Sequence, residues 1–265
     1  MRDDAEGLSA SGLIVTGARR ERVAATFEPI IAAAADRVRR FGHGSLYVYG
    51  SVATGAANRG FSDVDLLTVG VPPGEAEALG HELSAEFAGA SRAVEVAVAE
   101  SIDYFGDGDE AYGNRVFLRH YCVHLEGPDG RVSLPDYPGD VRAARGFNGD
   151  IGQHAQRWRG AVDWGAEDPA ALGRRIARKT LLAVAGLVSI HDRCWTTDRE
   201  TAAQRWSQID SSAAEVMTLL RWAEGDVAPT FAAIRDALNG IVARTTASFA
   251  TSIGLWTRPA GTRVV

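Results

Sequence analysis

Cysteine is almost missing from this chain. Cys122 and Cys194 are the only two among 265 residues, too few for a disulfide framework or a four-cysteine zinc site, and both read as reduced thiols. Lysine is scarcer still, because Lys179 is the one lysine among 28 basic residues and arginine carries nearly all the positive charge. A single compact ammonium in a field of guanidinium forks marks position 179 as one to watch. Long apolar runs are missing as well: none approaches the roughly 18 to 20 residues of a membrane span, which excludes a helical transmembrane protein. Where a secretory leader carries positive charge, the chain has Asp3, Asp4 and Glu6. The apolar stretch at 13–15 is too short for a leader's core, so a cytoplasmic location is expected.

What is present is the make-up of a folded protein, 46% hydrophobic and 23% charged. Charge is uneven along the chain. Residues 1–139 hold 12 arginines against 21 carboxylates, a net −9, whereas residues 140–205 hold 11 basic and 8 acidic groups. A protein that binds duplex nucleic acid draws its affinity from a basic surface that displaces counterions, so no nucleic-acid partner is expected. An acidic half suits a cationic small molecule, and a monomer without membrane partners is the expected state.

The pattern of apolar residues and breakers divides the chain near 138. Residues 20–41 have helical spacing and stop at Gly42. Residues 45–49, 63–69 and 93–98 are short alternating or β-branched runs bounded by Gly, Pro or Ser, as strands are, and 73–88 is helical. Residues 115–125 read as a strand, alone or with a short helix, closed by the turn at 127–130. From 140 onward the spacing predicts helices over 140–163, 169–190, 199–206, 212–223 and 229–249. The expected fold is α+β: a domain at 1–138 with a small mixed sheet flanked by helices, then an all-helical bundle at 139–265.

Chemistry concentrates in Tyr49-Gly50-Ser51, eleven further residues, and Asp63-Val64-Asp65-Leu66-Leu67. Carboxylates at i and i+2 of a strand project from one face, with Cα atoms about 6 to 7 Å apart, close enough to share a metal ion. Hard oxygen ligands with room for water and phosphate suit Mg²⁺ better than zinc. Gly50 and Ser51 offer backbone N–H groups and a hydroxyl to phosphate oxygens where the preceding strand ends. A third carboxylate, to complete the metal shell or to take a proton from an attacking hydroxyl, is best supplied by Glu95. It lies in an apolar strand where small Ala93 and Ala97 share its face; on an edge strand it would instead point into water. Glu100 and Asp103 are weaker candidates beyond the strand end.

These residues resemble the nucleotidyltransferase superfamily that includes DNA polymerase β, and within it the bacterial aminoglycoside adenylyltransferases that modify streptomycin and spectinomycin. The likeness runs from about 45 to 210. It rests on residues 49–69 and 92–98, on Val123-His124-Leu125-Glu126-Gly127-Pro128, on Trp158 followed after four residues by Asp163-Trp164, and on 176–206. It implies ATP as cosubstrate and Mg²⁺ on Asp63, Asp65 and Glu95, with Glu95 as general base. Phosphate would bind at Gly50, Ser51 and Arg199, and Trp158 and Asp163 would contact the acceptor. Three features depart from the family. The arginine usual near Gly186 is missing, and Lys179 on the same helical face is expected to supply that charge. The spacer from Asp163 to that helix is longer, and a tryptophan before the domain boundary is absent.

Arg174, Arg175, Arg178 and Lys179 form a run of cations on one helix. Arg178 and Lys179 are read as part of a triphosphate clamp, Arg174 and Arg175 as a solvated face. His120, Cys122 and His124 alternate and are read as strand neighbours, and Asp107 to Glu110 as a loop lacking the calcium ligand series. The function expected is AMP transfer from ATP to a hydroxyl of a small cationic acceptor, an aminoglycoside, in antibiotic resistance, at a site between the two domains. A nucleotidyltransferase acting on a protein, as in toxin neutralisation, or on another metabolite is the alternative. A nucleotide-binding regulator without turnover is disfavoured by the intact acid set.

Overall fold

The computed structural model describes residues 3–165, 167–210 and 213–256. They divide into two compact units, Met1–Asp107 with Asn114–Tyr137, and Gly108–Gly113 with Pro138–Val265. Among the described residues no helix is long and apolar enough to cross a membrane.

The first unit opens with a two-stranded antiparallel ribbon, β1 (Gly7–Leu8) and β2 (Ile14–Val15). The helix expected from 20 begins only at Glu28: two 3₁₀ turns, Arg20–Arg22 and Ala25–Phe27, come first. Pro29 has no N–H to give and belongs in a first turn, which sets the start of α1 (Glu28–Phe41). Gly42, at φ 76°, ends it. There follow β3 (Ser45–Tyr49), α2 (Gly50–Thr54), β4 (Val64–Val69), α3 (Pro73–Glu86), β5 (Val94–Ala99), α4 (Asp109–Tyr121) and β6 (Val123–Glu126).

The sheet order is β5-β4-β3-β6, with β4 and β5 parallel and the other neighbours antiparallel. One face is buried under α1 and α3: Leu46, Val48, Val64 and Leu66 meet Phe27, Ile30, Ala34, Leu79 and Leu83, all 0 or 1% exposed. On the other face Tyr47 and Leu67 pack with Leu118 and Cys122. The stretch 115–125 is a helix with a strand, residues 115–121 finishing α4 and 123–125 lying in β6. His120 sits on α4 with its Nε2 accepting from the Tyr137 N–H at 2.9 Å, and it shares no strand face with Cys122 and His124.

In the second unit α5 (Val141–Asn148) and α6 (Ile151–Trp164) replace one expected helix, parted at Gly149 and Asp150. Likewise α10 (Phe231–Asn239) and α11 (Ile241–Ser252) part at Gly240. Between them run α7 (Pro169–His191), α8 (Arg199–Ile209) and α9 (Ala213–Glu224); Ser212, the first residue of the expected fourth helix, lies outside the described residues. Asp140, Asp168, Asp198 and Thr230 each accept a backbone N–H at the start of their helix. The long α7 is the centre, apolar nearly all round from Leu181 to Val188, and packs against α5, α8, α9 and α11. Gly113, the fifth residue of α4, and Gly146, on α5, touch backbone to backbone: a Cβ on Gly146 would lie 2.7 Å from Gly113 Cα.

Candidate active site

Register builds the site in the first unit. Asp65 pairs with Tyr49 across the antiparallel side and with Glu95 across the parallel side. Paired residues in a sheet point to the same face, so Tyr49, Asp65 and Glu95 form one row at the end where β3 stops and β4 and β5 start. Asp63 stands two residues before Asp65, at the entry to β4, while Val64 and Leu66 turn into the core as the alternation requires. The chain leaves β3 through Gly50, at φ 68°. A Cβ there would strike the Asp65 carboxylate, so glycine is required both by the backbone and by the acid beside it. Ser51 follows, half-buried, and its carbonyl accepts from the N–H groups of Ala56 and Ala57 at 2.9 and 3.1 Å, which folds the linking loop back over α2.

Glu95 is exposed on an edge strand. Its place beside Asp65 comes from register and not from burial, which was the ground the sequence offered. Among the described residues no three His, Cys, Asp or Glu side chains are grouped closely enough to hold a metal ion. Asp63 and Asp65 stand two residues apart at the start of β4.

Two residues of this site were given no role from the sequence. Arg92 engages Asp63 as a fork, Nε to Oδ1 at 2.9 Å and Nη2 to Oδ2. Tyr49 lies against Phe117 with ring centroids 5.1 Å apart. Burial first, then the charges of Asp65, Cys122 and Glu95, push its phenol far above the usual range, so it stays a neutral hydroxyl. Arg92 stands three residues before Glu95 in sequence, but only the β4–β5 register brings it to Asp63.

The helical unit distributes the remaining candidates. Trp158 is 5% exposed, its ring 5.3 Å from that of His154. It is a core residue, and the open aromatic face belongs to Trp164, 86% exposed, next to exposed Asp163 at the end of α6. Lys179 turns away from its neighbour Arg178. Its Nζ lies 2.7 Å from Asp150 Oδ1 and donates to the Phe147 carbonyl at 3.3 Å. Burial opposes the Asp150 charge, but the hydrogen bond from His154 and the ammonium of Lys179 outweigh it and hold the carboxyl below its ordinary range. Arg178 Nε donates to the Ala223 carbonyl at 3.2 Å and Arg199 Nη2 lies 3.5 Å from Glu224 Oε1, so these two meet at the C-terminal end of α9. The expected clamp of Arg178, Lys179 and Arg199 is thus split: two guanidiniums converge and the ammonium is committed to Asp150.

Residues 31–110 match the family model of the nucleotidyltransferase domain, a span that contains Gly50, Ser51, Asp63, Asp65 and Glu95. No curated protein matches the sequence. Among solved structures, spectinomycin adenyltransferase AAD(9) from Enterococcus faecialis, determined with ATP and spectinomycin, is similar in fold with a TM-score of 0.52. Identity is 11%, over 84% of this chain and 98% of that one. Residues 31–110 are thus similar to the nucleotidyltransferase domain, and the chain as a whole is similar in fold to that spectinomycin adenyltransferase.

Proposed function

We propose that the chain transfers AMP from ATP to a hydroxyl of a small cationic acceptor, an aminoglycoside such as streptomycin or spectinomycin, and releases pyrophosphate. The observation that carries this reading is the row Tyr49, Asp65, Glu95 with Asp63 at the strand entry, set at the mouth of Gly50-Ser51 inside the matched domain. Two carboxylates two residues apart fit Mg²⁺, which commonly takes one or two protein carboxylates and completes its shell with water and phosphate. A cationic guanidinium already lies on Asp63. Bound by Asp63 and Asp65, Mg²⁺ would supply positive charge to the triphosphate.

The protein groups divide the remaining work. The Ser51 hydroxyl and the backbone at Gly50 hold phosphate oxygens. Glu95 takes the proton of the acceptor hydroxyl as its oxygen bonds to the α-phosphorus, and the bond from that phosphorus to the pyrophosphate oxygen breaks. Tyr49, kept neutral, donates or accepts a hydrogen bond beside the carboxylates without adding charge. In the helical unit Arg178 and Arg199 are assigned to phosphate and Asp163 to the cationic acceptor. Trp158 stiffens the helix that presents Asp163, and Lys179 ties α7 to Asp150. ATP-dependent pyrophosphate release across a panel of aminoglycosides, with product mass read for one added AMP, tests the reading. Release with no aminoglycoside-dependent rise would remove that acceptor class, and absence of any release would remove the transferase activity.

A further inference from the structure

Asp63 and Arg92 stand side by side at the entries of two parallel strands, and the backbone fastens them there. The Ser62 carbonyl accepts from the Arg92 N–H at 3.0 Å and the Ala93 carbonyl from the Val64 N–H at 2.9 Å. The side-chain fork then occupies both oxygens of the aspartate, whose side chain is 14% exposed, while that of the arginine is 63% exposed. A carboxylate held in this way has one lone pair of each oxygen engaged and its charge compensated, which weakens its pull on a second cation.

We propose that Arg92 is the resident counter-cation of the carboxylate site, neutralising Asp63 until a divalent cation and a nucleotide arrive together, and then exchanging Asp63 for a phosphate oxygen of that nucleotide. This rests on the reading of Asp63 and Asp65 as metal-binding groups. Three acids at one end of a sheet repel one another, and a cation on Asp63 relieves that repulsion. The guanidinium is firmly protonated, first by its hydrogen bond and charge contact with Asp63, with Glu95 and Asp65 adding to it, so it feels the whole cluster. Its exposure leaves the head free to swing while the strand entry stays fixed. The consequence is coupling. A metal alone must displace Arg92 with nothing to receive it, whereas a metal with nucleotide gives the displaced guanidinium a phosphate to bind, so each ligand strengthens the other.

The test is Mn²⁺ binding, followed by the electron paramagnetic resonance of free Mn²⁺, with and without a non-hydrolysable ATP analogue. In Arg92→Met, Mn²⁺ alone should bind about five- to tenfold tighter than in wild type, and the analogue should strengthen it less. Arg92→Lys, which keeps the charge without the fork, should fall between them and serves if the methionine variant is poorly folded. Mn²⁺ binding that is lost in Asp63→Asn, yet equal in wild type, Arg92→Met and Arg92→Lys, would overturn this proposal and leave the metal assignment standing. Absence of Mn²⁺ binding in every variant would overturn both.

Discussion

Asp63 and Asp65 differ in what replacing them disturbs. Asp65 touches the space of Gly50 and sits in the middle of the row, whereas Asp63 lies at a strand entry with an exposed partner. Asn at either position should lower pyrophosphate release by roughly a thousandfold, because a neutral amide cannot balance a dication and a triphosphate. Asp63→Asn should cost no more than about 1 kcal/mol of stability, the range of an exposed ion pair, as read from a denaturation midpoint. Glu95→Gln should lower turnover by about 10² to 10⁴ with ATP affinity kept, since a general base acts on the acceptor and not on the nucleotide; a parallel fall in ATP affinity would make Glu95 a metal ligand. Trp158 and Asp163 separate in the same manner. Trp158→Ala empties a core site and should destabilise by about 3 to 5 kcal/mol, whereas Asp163→Ala should leave the melting temperature unchanged and raise the streptomycin KM. His120 gives a pH signature. Burial lowers its imidazole to about 4, so the native state stays neutral while the unfolded chain takes up a proton near 6.5. Stability from this residue is complete above about pH 6.5 and is lost as pH falls toward 4. Urea midpoints of His120→Gln should vary less across that window than those of the wild type.

Among the elements, those bounded by their own punctuation were the legible ones. β3 lies between Gly44 and Gly50, β4 ends at Gly70, and α7 opens with Asp168-Pro169, so composition alone marks their limits. α4 was only partly legible, because Val116, Leu118 and Cys122 alternate as a strand would while the helical signal, acidic residues in the first turn at Asp109 and Glu110, lies upstream of a glycine. That glycine is where α4 and α5 touch. Gly113→Ala or Gly146→Ala should lower stability by about 1 to 3 kcal/mol through overpacking of backbone against backbone, seen as a lower denaturation midpoint. Within the site, Gly-Ser and Asp-x-Asp could be read from spacing because both are local. The pairing of Arg92 with Asp63, the neutrality of Tyr49 and the turning of Lys179 toward Asp150 depend on strand order and helix packing, which no local pattern carries.

Over the whole molecule the charge of the first 139 residues, net −9, acts at longer range than any one contact. If a polycationic sugar is the acceptor, its kcat/KM should fall as salt shortens the screening length from about 10 Å at 0.1 M toward about 3 Å at 1 M. The decline should be steeper for streptomycin than for spectinomycin, which has fewer cationic groups; equal slopes would mean that the acidic half plays no part in capture. The ion pair between Lys179 and Asp150 has a further consequence. With no other lysine in the chain, the folded protein offers amine-reactive reagents one side-chain amine, 20% exposed and already bonded to a carboxylate. Acylation of position 179 therefore becomes a chemical clock: brief pulses of an amine-reactive ester at increasing denaturant, read by peptide mass, report the opening of the helix at the centre of the second unit from one modified residue.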